Sequence, residues 1–320
     1  MRLAVLLALL SLGLLGCPPP RNNQPPVPLP TEEQTEPPPP PRETRPDPND
    51  KPAAPITSEQ MVAMLASARE TGIITALPHL KINVKEKWIQ IEGATAMKVG
   101  PQLELLACSA RGKAYESLLI WLCEPSHLQL ALIMIGLTPT PQVEQFGEQK
   151  ELKSGDKVVI EVEWTDPVTK KPVRRRAEDL LFDVYRDGCM KYSGFVFTGS
   201  RQLDVPQPPD WTLTKKQFAS DVTGTVAVTY HDPDAILDTP LQEGGNNTTY
   251  VAWEQRLPER HTTIVTHIRP WKAGDEVEPK DALRDKSEKR PTGGGSPGGG
   301  GPPPAEDETD KTEPKEPEKK

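Results

Sequence analysis

Glu116, Glu124 and His127 are the side chains whose types and spacing could do chemistry together. His127 follows Pro125 at the start of an apolar stretch, where an imidazole can act as a metal ligand or a general base. One of the two glutamates, or a cysteine, would complete its surroundings. The competing reading is a histidine that bonds backbone at a helix terminus, because no second ligand falls at metal-like spacing. His261 and His267 lie on one face of a strand, too far apart to share a metal, and read as surface or pairing residues. His231 to Asp238 gathers three aspartates without the ligand order or central glycine of an EF-hand. It reads as a proline-started helical turn with Asp234 and Asp238 on its exposed side. Arg174 to Arg176 alternate faces in a strand with Glu178 and Asp179 close by, which makes them an internally paired, solvated surface. Dinucleotide, P-loop, serine-hydrolase, zincin and thioredoxin signatures are absent, so no cofactor is expected.

These residues need elements to hold them. Gln102 to Cys108 and Tyr115 to Cys123 read as two strands of a hairpin joined at Arg111-Gly112, followed by a helix over about residues 126–136. That helix is apolar all round, from Leu128 to Ile135, and is therefore expected to be buried at the centre of the core. Ser126 and Gln129 have capping-box spacing, and Gly136 is a plausible stop. Leu80 to Lys85 and Trp88 to Glu92 alternate as a hairpin with one wet face, and Val159 to Trp164 alternates again. Further strands are expected at Gly194 to Thr198, Thr225 to Tyr230, Thr249 to Trp253 and Thr262 to Ile268. A short amphipathic helix, capped by Thr57 and carrying Met61, Met64, Leu65 and Ala68, precedes them. The fold class expected is α+β: mainly antiparallel strands packed on the one buried helix. With a regular hairpin, Cys108 and Cys123 would stand some 23 Å apart at roughly 3.3 Å per residue. That distance excludes a bridge between them; Cys108, Cys123 and Cys189 read as small buried apolar residues, with a bridge involving Cys189 as the alternative.

The two ends have a different composition. Of the 38 prolines 24 lie there, with glycine runs at 293–295 and 298–301, so a single domain is expected over residues 56–274. Residues 1–17 combine Arg2, an apolar run and Gly16-Cys17, too short for a permanent membrane span. Leu14-Leu15-Gly16-Cys17 resembles the lipobox of bacterial lipoproteins, which implies cleavage before Cys17 and its acylation. Pro18 rather than aspartate after the cysteine leans towards the periplasmic face of the outer membrane. Residues 18–55 read as a disordered proline-rich tether that reaches on the order of 100 Å at about 3.1 Å per residue. Residues 275–320 read as a disordered charged tail. The net charge of −8 is concentrated at the ends, leaving the domain too weak a field for nucleic acid.

The succession GPQLELLACSARGKAYESL, EPSHLQLALIMIGLTP, VVIEVEWTD, FVFTGS and YVAWEQRLPERHTTIVTHIRP resembles the YdjY-type domain of bacterial envelope lipoproteins and exported proteins. The resemblance covers roughly Gly72 to Pro270. It implies a domain boundary and brings no activity, cofactor or functional residue with it. The function expected is a non-catalytic binding or assembly module, anchored to the membrane through acylated Cys17 and facing an envelope protein or polymer. The alternative is a metal-binding or enzymatic domain using His127 with Glu116, Glu124 or a cysteine.

Overall fold

A computed structural model describes residues 69–75 and 77–293, together with Glu59, Val62 and Ala66. Those last three positions are helical and exposed, while Met61, Met64, Leu65 and Ala68 lie outside the described residues, as do residues 1–55 and 294–320. From the N-terminal side the elements are β1 (Ile73–Ile74), β2 (Leu80–Asn83), β3 (Trp88–Thr95), β4 (Leu105–Ser109), β5 (Ser117–Trp121) and α1 (Pro125–Met134). Next come β6 (Lys157–Thr165), β7 (Pro172–Arg176), α2 (Ala177–Leu180), β8 (Leu181–Asp183), β9 (Gly188–Cys189) and β10 (Phe195–Phe197). The chain continues through β11 (Gln202–Pro206), β12 (Thr214–Phe218), α3 (Ala219–Thr223), β13 (Thr225–Val228), β14 (Leu237–Asp238), β15 (Tyr250–Ala252) and β16 (Thr263–Pro270).

Eight of these strands close into a barrel in the order β3-β16-β6-β10-β14-β13-β4-β5, with β5 pairing back onto β3. Two pairings, β13 with β14 and β4 with β5, are parallel, and the other six are antiparallel. The expected α+β core of strands on one buried helix is therefore wrong: the core is the inside of a β-barrel, filled by inward side chains as eight-stranded barrels are. Ile89, Ile91, Ile160, Phe195, Phe197 and Ile268 are buried there. Trp121 joins them, donating its Nε1–H to Thr266 Oγ1 across β3 on the inner face (2.9 Å).

The helix α1 sits outside as a cover. Leu128, Ala131, Leu132 and Ile135 face the core, but Leu130 and Ile133 are 43% and 46% exposed. An all-apolar helix reads as buried on every side, yet this one has a neighbour on one side only. Its expected capping box is also absent. Glu124 is the N-cap with Pro125 after it, the Ser126 N–H donates to Asp221, and Gln129 Oε1 accepts from the Ser200 N–H. Gly136 does end the helix, at φ +94°.

The expected hairpin at Arg111-Gly112 is a parallel crossover, in register Leu105↔Ser117 and Cys108↔Ile120. Gly112 decides this. A Cβ there would stand 2.7 Å from Cys108 Cβ and 2.6 Å from the Gly224 carbonyl oxygen, so the chain folds back over β4 only because the position is bare. All three cysteines are nevertheless free and buried. The folded unit also continues past Asp275, where the charged tail was expected to begin. Leu283 bridges to Gly188, the Ala282 carbonyl accepts from the Cys189 N–H, and Arg284 pairs with Asp187.

Barrel closure rests on Gly93. One edge of β3 pairs with β2 through Leu80↔Ile91 and then, from Gly93 on, with β5. A Cβ at Gly93 would lie 2.3 Å from the Ile120 carbonyl oxygen. Gly93→Ala is expected to cost about 1–3 kcal/mol, lowering Tm by roughly 2–4 °C per kcal/mol in a domain of this size. Calorimetry beside the wild type checks this, and an unchanged Tm would show that the seam has room to give.

Candidate functional site: a groove on the outer wall

The three long strands β3, β16 and β6 form a continuous wall of the barrel, and their alternation sends every second side chain outward. Register places Gln90, His267, Glu161 and Arg176 in one row across that outer face. Gln90, His267 and Glu161, together with Trp88, Arg174, Ile268 and Arg269, border a groove of about 300 Å³, at the lower end for small-ligand sites. Trp88 supplies an aromatic wall, its Nε1–H donating to Glu86 and Lys81 Nζ lying 5.8 Å from its ring centre.

The charges in the groove largely cancel. Arg174 binds Glu161 at 2.7 Å, and Arg269 binds Asp275 through both terminal nitrogens at 2.7 Å. Burial, and then the Arg174 guanidinium, hold the His267 ring below the usual histidine range, against the pull of Glu163 and Glu161. The ring is therefore neutral at pH 7. Gln90 Nε2 donates to its Nδ1 (3.3 Å), which leaves the ring proton on Nε2. That nitrogen lies 3.2 Å from Glu163 Oε2 but out of line for a hydrogen bond. A neutral ring forms no ion pair, so we read this contact as proximity: His267 presents a buried donor with no acceptor aligned to it.

A model of the YdjY domain matches residues 80–269, a span that runs from β2 to the end of β16 and contains all the barrel strands save the final residue. The chain belongs to the YdjY domain family. No curated protein and no solved structure matches it.

The YdjY domain does not gather the residues first singled out from the sequence. Glu124 is paired with Arg111 and Glu116 with Lys113. His127 contributes its backbone N–H to the Glu124 carbonyl, and its Nδ1 is buried without a partner. Among the described residues no group of three His, Cys, Asp or Glu side chains could hold a metal ion. Cys108 is pushed up to about 11 and Cys123 to about 12, both chiefly by burial, so neither offers a ready thiolate. Cys17 lies outside the described residues.

The aspartate loop also differs from expectation: Asp234 and Asp238 are buried, not exposed. Asp234 pairs with Arg201, and Asp238 with His231, whose side chains are both fully buried in that second pair. His231 Nε2–H must donate, because the Lys150 carbonyl that faces it at 3.0 Å can only accept. Its Nδ1 meets Asp238 Oδ1 at 2.8 Å. Burial opposes the charged ring, but the Asp238 carboxylate and the Lys150 carbonyl outweigh it and raise the His231 pKa. Burial also raises Asp238, against the pull of His231; the direction that follows from two acceptors on one ring is the rise at His231. The pair clamps β14 to the loop around Lys150. Above it Asp232 is raised to about 7, by burial first and then by the neighbouring Asp234 and Asp238 carboxylates.

These two histidines should titrate in opposite directions. In an NMR titration of the ring protons, His231 is expected above the ordinary 6.5 and His267 below it. The stabilisation from His231 is full below pH 6.5 and is lost as pH rises through its raised pKa. His267 contributes above pH 6.5 and loses its share as pH falls through its lowered value. Asp238→Asn removes one partner of a buried pair and is expected to destabilise by about 3–5 kcal/mol. It should also lower the His231 titration, since only the Lys150 carbonyl is then left to oppose burial.

Proposed function

We propose that this YdjY domain is a non-catalytic binding module of the cell envelope, and that the outer-wall groove is where it binds. The unaligned Nε2–H of His267, beside the Trp88 indole, supports this reading most directly. A buried donor with no acceptor at all costs about 1–3 kcal/mol; the misaligned Glu163 carboxylate offsets part of that, and a well-placed ligand oxygen would relieve the rest. The surrounding ion pairs compensate one another, so the groove favours an uncharged polar ligand over an ion. An aromatic face combined with fixed donors and acceptors suits a sugar ring, which makes an envelope glycan the polymer of choice. Lipid anchoring through Cys17, with residues 18–55 as the tether, belongs to the same proposal: a module on a long tether can reach a polymer away from the membrane. Among the described residues no helix is long and apolar enough to cross a membrane.

The test is co-sedimentation with purified cell-wall glycan, comparing the wild-type chain with Trp88→Ala and His267→Ala. Each variant is expected to bind about tenfold more weakly, which corresponds to about 1.4 kcal/mol, with Tm little changed. Wild-type binding that neither substitution weakens would place the glycan elsewhere, and no wild-type binding would dismiss the reading.

A further inference from the structure

The strands β11 and β12 form a two-stranded sheet of their own, outside both the barrel and the small β15-β8-β9 sheet. Their side chains are largely exposed along the whole length. At the end of this arm Trp211 is 67% exposed and Leu213 62% exposed. An indole held in water on a projecting hairpin is unusual, because Trp is mostly covered in monomers and enriched at interfaces.

The root of the arm lies beside the uncovered face of α1. Arg201 and Ala219 close the hairpin through the Ala219 N–H and the Arg201 carbonyl (2.8 Å). The residue before the arm, Ser200, donates its N–H to Gln129 of α1 (3.0 Å), and Asp221 of α3, just after it, accepts from the Ser126 N–H (2.9 Å). Leu130 and Ile133 on α1 and Val222 on α3 are 43%, 46% and 47% exposed. The same chain thus carries an apolar tip at one end of the arm and an apolar patch at the other. Five-residue strands put them roughly 17 Å apart at about 3.4 Å per residue, so the arm cannot fold its own tip onto its own root.

We propose that the arm and the patch complement each other between two copies of this chain. A two-fold axis midway along the arm crosses two arms antiparallel and lays Trp211 and Leu213 of each copy on Leu130, Ile133 and Val222 of the other. The contact is isologous, so it closes at two copies. Among the described residues each arm also has an unpaired strand edge on either side, and crossing the arms gives those edges a partner. A standard interface buries about 800 Å² per partner, which the two crossed arms and their patches would supply together. A lipid surface fits less well. Asp210 stands next to Trp211, and the Thr212 hydroxyl and N–H accepted by its carboxylate hold it charged at the tip.

The experiment uses the full chain, with a photo-crosslinking phenylalanine at position 211 and an equal mixture of light and heavy nitrogen copies. Illumination is expected to give a band of twice the chain mass, joining position 211 of one isotope to the Leu130 or Val222 peptide of the other. Independently, Trp211→Ser with Leu213→Ser should weaken self-association at least tenfold in sedimentation velocity while leaving Tm unchanged at concentrations where the wild type is dissociated, because both side chains are exposed in the single copy. Leu130→Asp with Ile133→Asp should do the same from the other side. A wild-type chain that sediments as a monomer would overturn the proposal. Crosslinks confined to one isotope, to lipid or to a different protein would overturn it as well.

Discussion

The ring of strands closes at one place, where β3 leaves β2 and takes β5 as its neighbour. Backbone must approach backbone there more closely than any Cβ allows, and Gly93 supplies the room. With that seam made, β3 has partners on both edges along its length, β16 and β6 continue the wall, and the inward isoleucines and phenylalanines have a closed space to fill. Without it the chain would be an open, strongly twisted sheet with two apolar edges. The hydrogen bond from Trp121 on β5 to Thr266 on β16 spans β3 on the inner face, so the polar atom of a fully buried tryptophan is satisfied by the same closure that buries it.

The wall that closure creates also carries the groove. Because β3, β16 and β6 are paired in register over several residues, Gln90, His267 and Glu161 stand side by side although they are far apart in sequence. The positioning is rigid: the backbone of each is held on both edges. β6 repeats the device of β3 at its other edge, pairing with β10 at Lys157 and Val158 and with β7 from Glu161 on, which brings Arg174 over the groove. The buried His231–Asp238 pair plays a different part. It lies on the far side of the ring and fixes β14, a strand of only two residues that needs such a clamp.

The period-two alternation of Leu80–Asn83, Trp88–Thr95, Lys157–Thr165 and Thr263–Pro270 made those strands and their inward faces legible in sequence. The helix at Pro125–Met134 and its glycine stop were legible for the same local reason. Barrel closure was not, because a strand that changes partner half-way looks the same as one that does not. The parallel pairing of β4 and β5 was hidden by Arg111-Gly112, which has the composition of a turn, while the deciding contact is between Gly112 and Gly224, far along the chain. The groove depended on strand order, so His267 read as an ordinary pairing residue. His127 drew attention through its position at a helix start, but its neighbours Glu116 and Glu124 are spent on Lys113 and Arg111. The signal for His231 was present in its spacing of seven from Asp238 across a proline turn, and was read as an exposed loop because three carboxylates in eight residues suggest water.

Three thiols buried in the barrel and its flanking cluster remain free, with Cys189 also pushed up to about 12, chiefly by burial. Thiolate is the form that oxidises and exchanges, and these sulfurs scarcely form it while the ring is closed. These three described thiols are thereby shielded from oxidation in the folded state, and no pairing among them is part of the native fold. For Cys123 the protection lasts only as long as the seam holds. Cys123 belongs to the cluster that this seam closes, whereas Cys108 packs with Leu105, Val228 and Ala235 in a cluster of its own, so an opening at Gly93 bears on the first thiol rather than on the second.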